Sequence, residues 1–400
     1  MQSIQTLGER IEAAWRELHY DHAAFPSLAC ASLEELAPHR SFRIDELIRW
    51  VQQAPAVPKQ NAESSFGEPP VMLFAGRRFF IEALFWVDGT TAIHQHGFSG
   101  AFQVLHGGSL HTRFSFERTR RISEQLQLGT LRATPPELLR VGDTREIGSG
   151  EALIHSLFHL ERPSVTLVVR TYFDAAAGPQ YSFLRPGIAI DRSYHDERLP
   201  RLLQLMAMAW KTELPERHQL VADFLDGADL HSALLLLERL EPLAGTELPP
   251  LAKRLARREP AIAPLLAAAL SEIGRQRLIL HWRQQARAPE HRFLLALLLN
   301  VDGRDDILRL VAERTGTADP IGQVVSWLGE MSPPDASNAL SYHLGEVELA
   351  VLRHLLAGRG FDEILDALAA DYDDVAAQAD DVRALCDALP HAPLLLPLFR

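Results

Sequence analysis

Three zones of different hydrophobic periodicity follow one another along the chain. In the first, Ile4, Leu7, Ile11, Ala14 and Trp15 recur near the helical period, as do Ile44, Leu47, Ile48 and Val51. Residues 1–60 are therefore expected to form a short helical lead-in that lays apolar faces on a neighbour. Pro55 and Pro58 end it, because proline lacks the backbone donor and pushes the preceding residue out of the helical region.

From about 66 to 190 the pattern changes to short alternating or continuously apolar runs rich in Phe, Val, Ile and Thr. Turns at Gly76, Gly89, Gly107-Gly108, Gly129, Gly142 and Gly148 to Gly150 separate them. Short strands at this spacing predict an all-β barrel or sandwich, spanning 61–192. Beyond 198 the composition swings to Leu, Ala, Arg and Glu, and breaks at Pro, Gly and Asp divide it into about eight to ten helices of ordinary length. Residues 198–400 are expected to form an all-α domain without a fixed repeat, joined to the barrel by a linker over Arg185 to Pro200. The fold class is thus α+β multi-domain: a β-barrel, a helical N-terminal lead-in and a helical C-terminal domain.

With 47% hydrophobic residues in 400, the chain has material for two or three cores. A net charge of -12 leaves no broad positive field for a phosphate backbone, which argues against a nucleic-acid partner. The segment from Leu344 to Arg353 followed by Phe361 has the rhythm of a DNA-binding helix-turn-helix. Its second helix, however, carries Asp362, Glu363, Asp366 and Asp371 where bases and phosphates call for Arg, Lys or Asn. The most apolar runs, 265–270 and 293–301, fall short of the ~20 residues of a membrane span, and the first residues lack the features of a signal peptide. Cys30 and Cys386 are far apart and without CxxC spacing, so neither a disulfide framework nor a thiolate metal site is expected, and a reducing, cytoplasmic setting is.

The candidate chemistry lies in the β zone. The strand-like run 79–87 leads across the turn Asp88-Gly89-Thr90-Thr91 to His94-Gln95-His96. On an extended chain, residues two apart look the same way, so both imidazoles can meet one metal ion. His155 opens a later apolar run and can deliver a third ligand from a facing strand; His159 shares its face and is either a competitor for that place or a partner that orients a ligand ring. Three neutral imidazoles leave coordination positions open, as catalysis at a metal requires.

These residues carry a family resemblance. Gly89-Thr-Thr-Ala-Ile-His94-Gln-His96 followed by Phe102-Gln-Val-Leu-His-Gly107 resembles the first motif of the cupin superfamily, and Gly148-Ser-Gly-Glu-Ala-Leu-Ile-His155 resembles the second. Among cupins the chain is similar to thiol dioxygenases of the cysteine dioxygenase type over about residues 66–190. There an aromatic strand ending in Trp, a Gly-Ser/Thr turn and Ile-His-x-His come in the order seen from Phe79 to His96. His155, His159 and the run from Pro163 to Leu167 continue the likeness. The resemblance implies a cupin-type barrel (a double-stranded β-helix), iron(II) held by His94, His96 and His155, and O2 with a small molecule as substrates. The helical C-terminal half is not covered by it.

Departures from the family pattern shape the expectation. Ordinary cupins add a glutamate four residues after the second histidine, where this chain has Gly100. The dioxygenase arginine that holds the substrate carboxylate is missing from Glu68-Pro69-Pro70-Val71, with Arg77 and Arg78 as candidate replacements. The dioxygenase tyrosine aligns with Arg170, and the histidine two before it with Val168. Arg170 can offer a planar fork to a carboxylate or phosphate, and Tyr172 shares its face if the strand continues. Arg170, Tyr172 and His159 are therefore the candidate catalytic residues. Glu82 is a fourth ligand or base if it points inward and otherwise solvated or ion-paired; His106, His111 and Gln103 near the Gly107-Gly108 turn need no special role.

The expectation is a non-haem metal oxygenase of cupin type acting on a small polar or anionic molecule. Zinc, nickel or manganese in the same cage would instead suit a hydrolase or isomerase. A metal-stabilised sensor or scaffold, with the helical half binding a protein partner or a second copy, is the reading from another class.

Overall fold

The computed structural model describes residues 2–62, 64, 66–87, 92–194, 197–334, 343–372 and 379–400; the turn 88–91 lies outside them. The chain opens with α1 (Gln2–Glu17), α2 (Phe25–Leu36) and α3 (Ile44–Gln53). The strands follow: β1 (Pro70–Ala75), β2 (Phe79–Trp86), β3 (His94–His96), β4 (Gly100–His106), β5 (Ser109–Arg121), β6 (Leu126–Ala133), β7 (Glu137–Leu139), β8 (Thr144–Ile147), β9 (Gly150–His159), β10 (Ser164–Thr171), β11 (Tyr181–Leu184) and β12 (Ile188–Asp191). The helical half comprises α4 (Leu199–Lys211), α5 (Arg217–Gly227), α6 (Leu230–Ala244), α7 (Leu248–Arg258), α8 (Ala263–Gln285), α9 (Pro289–Asn300), α10 (Arg304–Thr315), α11 (Pro320–Met331), α12 (Glu346–Leu356), α13 (Phe361–Asp371) and α14 (Ala379–Ala388).

Two antiparallel sheets make the barrel. One has the order β1-β2-β10-β4-β8; the other runs β6-β12-β11-β3-β9-β5 and closes on itself through β5 and β6. A closed β-barrel is therefore present, built from strands far apart in sequence. Both faces of β2 are buried, which is why it reads as apolar apart from Glu82. Phe79, Ile81, Ala83 and Phe85 join Val165, Leu167 and Val169 of β10 in a core with Ile4, Leu7, Ile11, Trp15, Phe25 and Leu33 of the helical lead-in. The alternate positions, Leu84 and Trp86 of β2 and Val168 of β10, turn inward against Phe102, Ile147 and Leu157. Gln103, on the outward face of β4, clips the lead-in to the barrel: its Oε1 accepts from the His39 backbone N–H, and its Nε2 donates to Thr144 Oγ1 at 2.9 Å.

The chain forms two compact units, one of residues 1–134 and 139–274, the other of 135–138 and 275–400, so the division falls inside α8. The reason lies in the second sheet: Leu126, Leu128, Ile188 and Ile190 on β6 and β12 share a core with Trp210, Leu225, Leu234, Leu237, Leu255 and Leu266 of the first helices. The same contact corrects the linker. Residues 188–191 form a paired strand, with Ile188 opposite Leu128 and Ile190 opposite Leu126.

In the second unit, α9 is buried from Phe293 to Leu299. The helix-turn-helix lookalike is a packed pair, α12 and α13, and Glu363 serves as a cap, its Oε2 accepting from the Gly360 N–H at 2.8 Å. No helix among the described residues is long and apolar enough to cross a membrane.

Candidate metal centre

The short strand β3 lies between β11 and β9, and His94 stands directly opposite His155. A register shift follows, so that His96 pairs with Gly150. Gly150 has φ +59, a conformation that suits glycine. All three imidazoles are buried, and one ligand nitrogen from each lies within 4.8 Å of the others.

Hydrogen bonds orient the rings. His94 Nδ1 is 2.7 Å from the Ala92 carbonyl, which can only accept, so the proton sits on Nδ1 and Nε2 keeps its lone pair. That Nε2 is buried and without a hydrogen-bond partner. His155 Nδ1 is 3.0 Å from His111 Nε2, and His155 Nε2 is 2.8 Å from His96 Nε2. At that distance either one ring donates its N–H to the other, or both turn their lone pairs toward a shared cation. The donor set therefore fits a metal ion, and the neutral state is built in. Burial pushes the pKa of His94 below its ordinary value, and pushes His96 and His155 well below it; for His155 the neighbouring His94, His96, His111 and Arg113 add to the effect.

Gly100 explains why no carboxylate joins the set. A Cβ there would collide with the Val169 carbonyl and stand 2.9 Å from Arg170 Cα, because β4 passes close to β10 at this point. The place where ordinary cupins put a glutamate is closed to any side chain.

The cluster opens on a small cavity with about 40 Å³ of free space. Leu84, Trp86, Phe98, Phe102, Leu157 and Val168 give it an apolar wall; Thr166, His159 and Arg170 are its polar members besides the three histidines. His159 stacks on Trp86 with ring centroids 4.4 Å apart, and its Nδ1 is 3.0 Å from Ser109 Oγ. It stands two inward-facing positions beyond His155 on β9, so it lines the cavity rather than completing the cluster.

Arg170 does reach the cavity, but Glu82 already holds it, with Nε 3.0 Å from Glu82 Oε1. Glu82 points inward and is ion-paired, not solvated, at 7% exposure. Burial pushes its carboxyl up while the guanidinium pulls it back; burial likewise lowers Arg170. Tyr172 is not in the site. The strand β10 ends at Thr171, and Tyr172 lies 50% exposed with its OH donating to the Gly76 carbonyl and its ring on Phe80. Arg77 and Arg78 are exposed in the turn before β2, Arg78 over the Tyr20 ring, and His106 is exposed at the end of β4.

The residue that sequence reasoning passed over is His111. Alternation from Ser109 puts it on the inner face of β5, which was a legible signal; that β5 lies beside β9 was not.

No family model and no curated protein matches the chain. Solved structures that it is similar to include a cupin-2 domain containing protein from Shewanella frigidimarina, 11% identical, covering 32% of this chain and 93% of that one with a TM-score of 0.19. Another is the DMSP lyase DddQ of Ruegeria pomeroyi, 17% identical, covering 42% and 91% with a TM-score of 0.24. A third is a recombinant oxalate oxidase in complex with glycolate, 16% identical, covering 35% and 67% with a TM-score of 0.20.

Proposed function

We propose that the protein is a metal-dependent cupin oxygenase, similar to the thiol dioxygenases, which uses iron(II) and O2 on a small polar or anionic substrate. One observation carries this reading: three neutral, buried imidazoles converge to within 4.8 Å at the wall of a small apolar cavity. Imidazole suits iron, zinc, nickel and copper alike, and the preference for iron rests on the resemblance of the His94 and His155 motifs to those of the dioxygenases. When bound, iron(II) supplies Lewis acidity and one-electron chemistry toward O2.

The chain's own residues do the rest. The Ala92 carbonyl and His111 hold the rings of His94 and His155. Arg170, held by Glu82, offers its remaining N–H groups to a polar group of the substrate. His159, with its Nδ1 3.0 Å from Ser109 Oγ, is a further wall group able to hold or pass a proton. Leu84, Phe98, Phe102 and Leu157 keep bulk water out, which strengthens each polar contact inside.

Two observations favour a second reading, a non-catalytic metal cupin that senses a ligand or serves as a scaffold. Glu82 already engages Arg170, and Tyr172 stands outside the cavity. The helical segments would then bind a protein partner or a second copy. Elemental analysis of anaerobically purified protein, followed by oxygen uptake with thiols and amino acids, separates the two. Iron near one per chain with substrate-dependent oxygen consumption is expected; tightly held zinc, nickel or manganese and no uptake would sink the oxygenase reading.

A further inference from the structure

An ion pair stands beside the cavity. Arg170 and Glu82 sit on adjacent strands, β10 and β2, with their side chains on the inward face. Phe80 and Phe98 lie against the guanidinium at 4.6 Å and 4.3 Å, and the Phe98 ring is in turn 4.6 Å from His96. The one cationic side chain among the cavity-lining residues is thus a single aromatic ring away from the histidine cluster, and its charge is already balanced by a carboxylate. The remaining wall is apolar apart from Thr166 and His159.

We infer that Glu82 is the specificity-determining residue of the cavity: by cancelling Arg170 it selects a ligand with one anionic group and an apolar remainder, and excludes dianions. This rests on the metal reading above. One anionic group of a ligand is accommodated at the three-histidine end. A second would be buried among Phe98, Phe102 and Leu157, beside a guanidinium whose field Glu82 has removed, and burying an uncompensated charge is costly.

The test uses the full chain loaded with cobalt(II), whose visible absorption reports anion binding without any turnover, and acetate and malonate as probes. Wild type is expected to favour acetate. Glu82→Gln keeps the acceptor oxygen and removes the charge, so malonate should gain on acetate by at least about tenfold. Glu82→Asp should keep the wild-type ratio. Should Glu82→Gln fail to fold, the neutral pair Glu82→Gln with Arg170→Met decides, since replacing both members of a buried pair is tolerated better than breaking it. It should also keep the wild-type ratio, and a shift toward malonate in it would overturn the inference. So would an unchanged ratio in a cobalt-loaded Glu82→Gln protein. Cobalt that fails to bind, or that binds equally after His94→Ala, overturns the metal reading itself and this inference with it.

Discussion

His111 Nε2 lies 3.0 Å from His155 Nδ1, and this contact decides which nitrogen of His155 faces the cluster. With Nδ1 engaged, Nε2 is the atom that meets His96. Partners of this kind fix tautomer and ring orientation, and their loss weakens metal binding by roughly 10–100-fold. His111→Ala is therefore expected to lower metal affinity by about that factor in a chelator competition while the far-UV circular dichroism stays native. Retention of wild-type affinity would show that packing alone holds the His155 ring.

Acid should destabilise the metal-free protein through the same histidines. His94, His96 and His155 are held below their ordinary value of 6.5 by burial, so the folded chain keeps them neutral where the unfolded chain protonates them. The unfolded state then binds more protons, and stability falls as pH drops below about 6.5, by up to about 1.4 kcal/mol per pH unit for each imidazole, until the folded values are reached. Above that window these groups add no pH dependence. Urea melts of metal-free protein between pH 7.5 and 5, roughly the range in which histidine titrates, would show the slope, and replacing all three by Gln should flatten it.

Much of the barrel and its metal end was legible because alternation is a local property. The run from Phe79 to Trp86, the His94-x-His96 spacing and the turn glycines each report on their own strand. Partners were not legible. Glu82 and Arg170 meet across a β2–β10 register that joins residues 88 apart in sequence, and nothing near Glu82 announces it. Trp210, Leu234 and Leu255 form amphipathic helical faces whatever they pack on, so the sequence could not reveal that they cover β6 and β12. For Tyr172 the reading was conditional on the strand continuing, and β10 ends at Thr171, one residue before it.

Metal should stabilise the fold, because the three ring nitrogens converge only in the native state. A ligand at 100 times its Kd adds about 2.7 kcal/mol. Adding iron(II) anaerobically, or zinc, is expected to raise the thermal midpoint of wild type in a concentration-dependent way, and to leave His94→Ala, His96→Ala and His155→Ala unmoved. Equal shifts in all four proteins would place metal binding elsewhere, on exposed acids or the other histidines.

Gly100 gives the sharpest separation between this site and a cupin centre with a fourth, acidic ligand. If the missing glutamate were merely absent, Gly100→Glu would add a carboxylate to the cage and tighten metal binding. The backbone of β10 forbids it: any Cβ at this position meets the Val169 carbonyl and Arg170 Cα, so even Gly100→Ala must force β4 from β10. Overpacking of this kind costs about 1–3 kcal/mol. Both variants are expected to lower the urea midpoint, Gly100→Glu more than Gly100→Ala, and both to bind metal more weakly than wild type, since Arg170 and the strand beside the histidines shift with the displaced backbone. Tighter binding by Gly100→Glu at unchanged stability would mean that β4 can move away freely and that the three-histidine set is a choice of sequence rather than of packing.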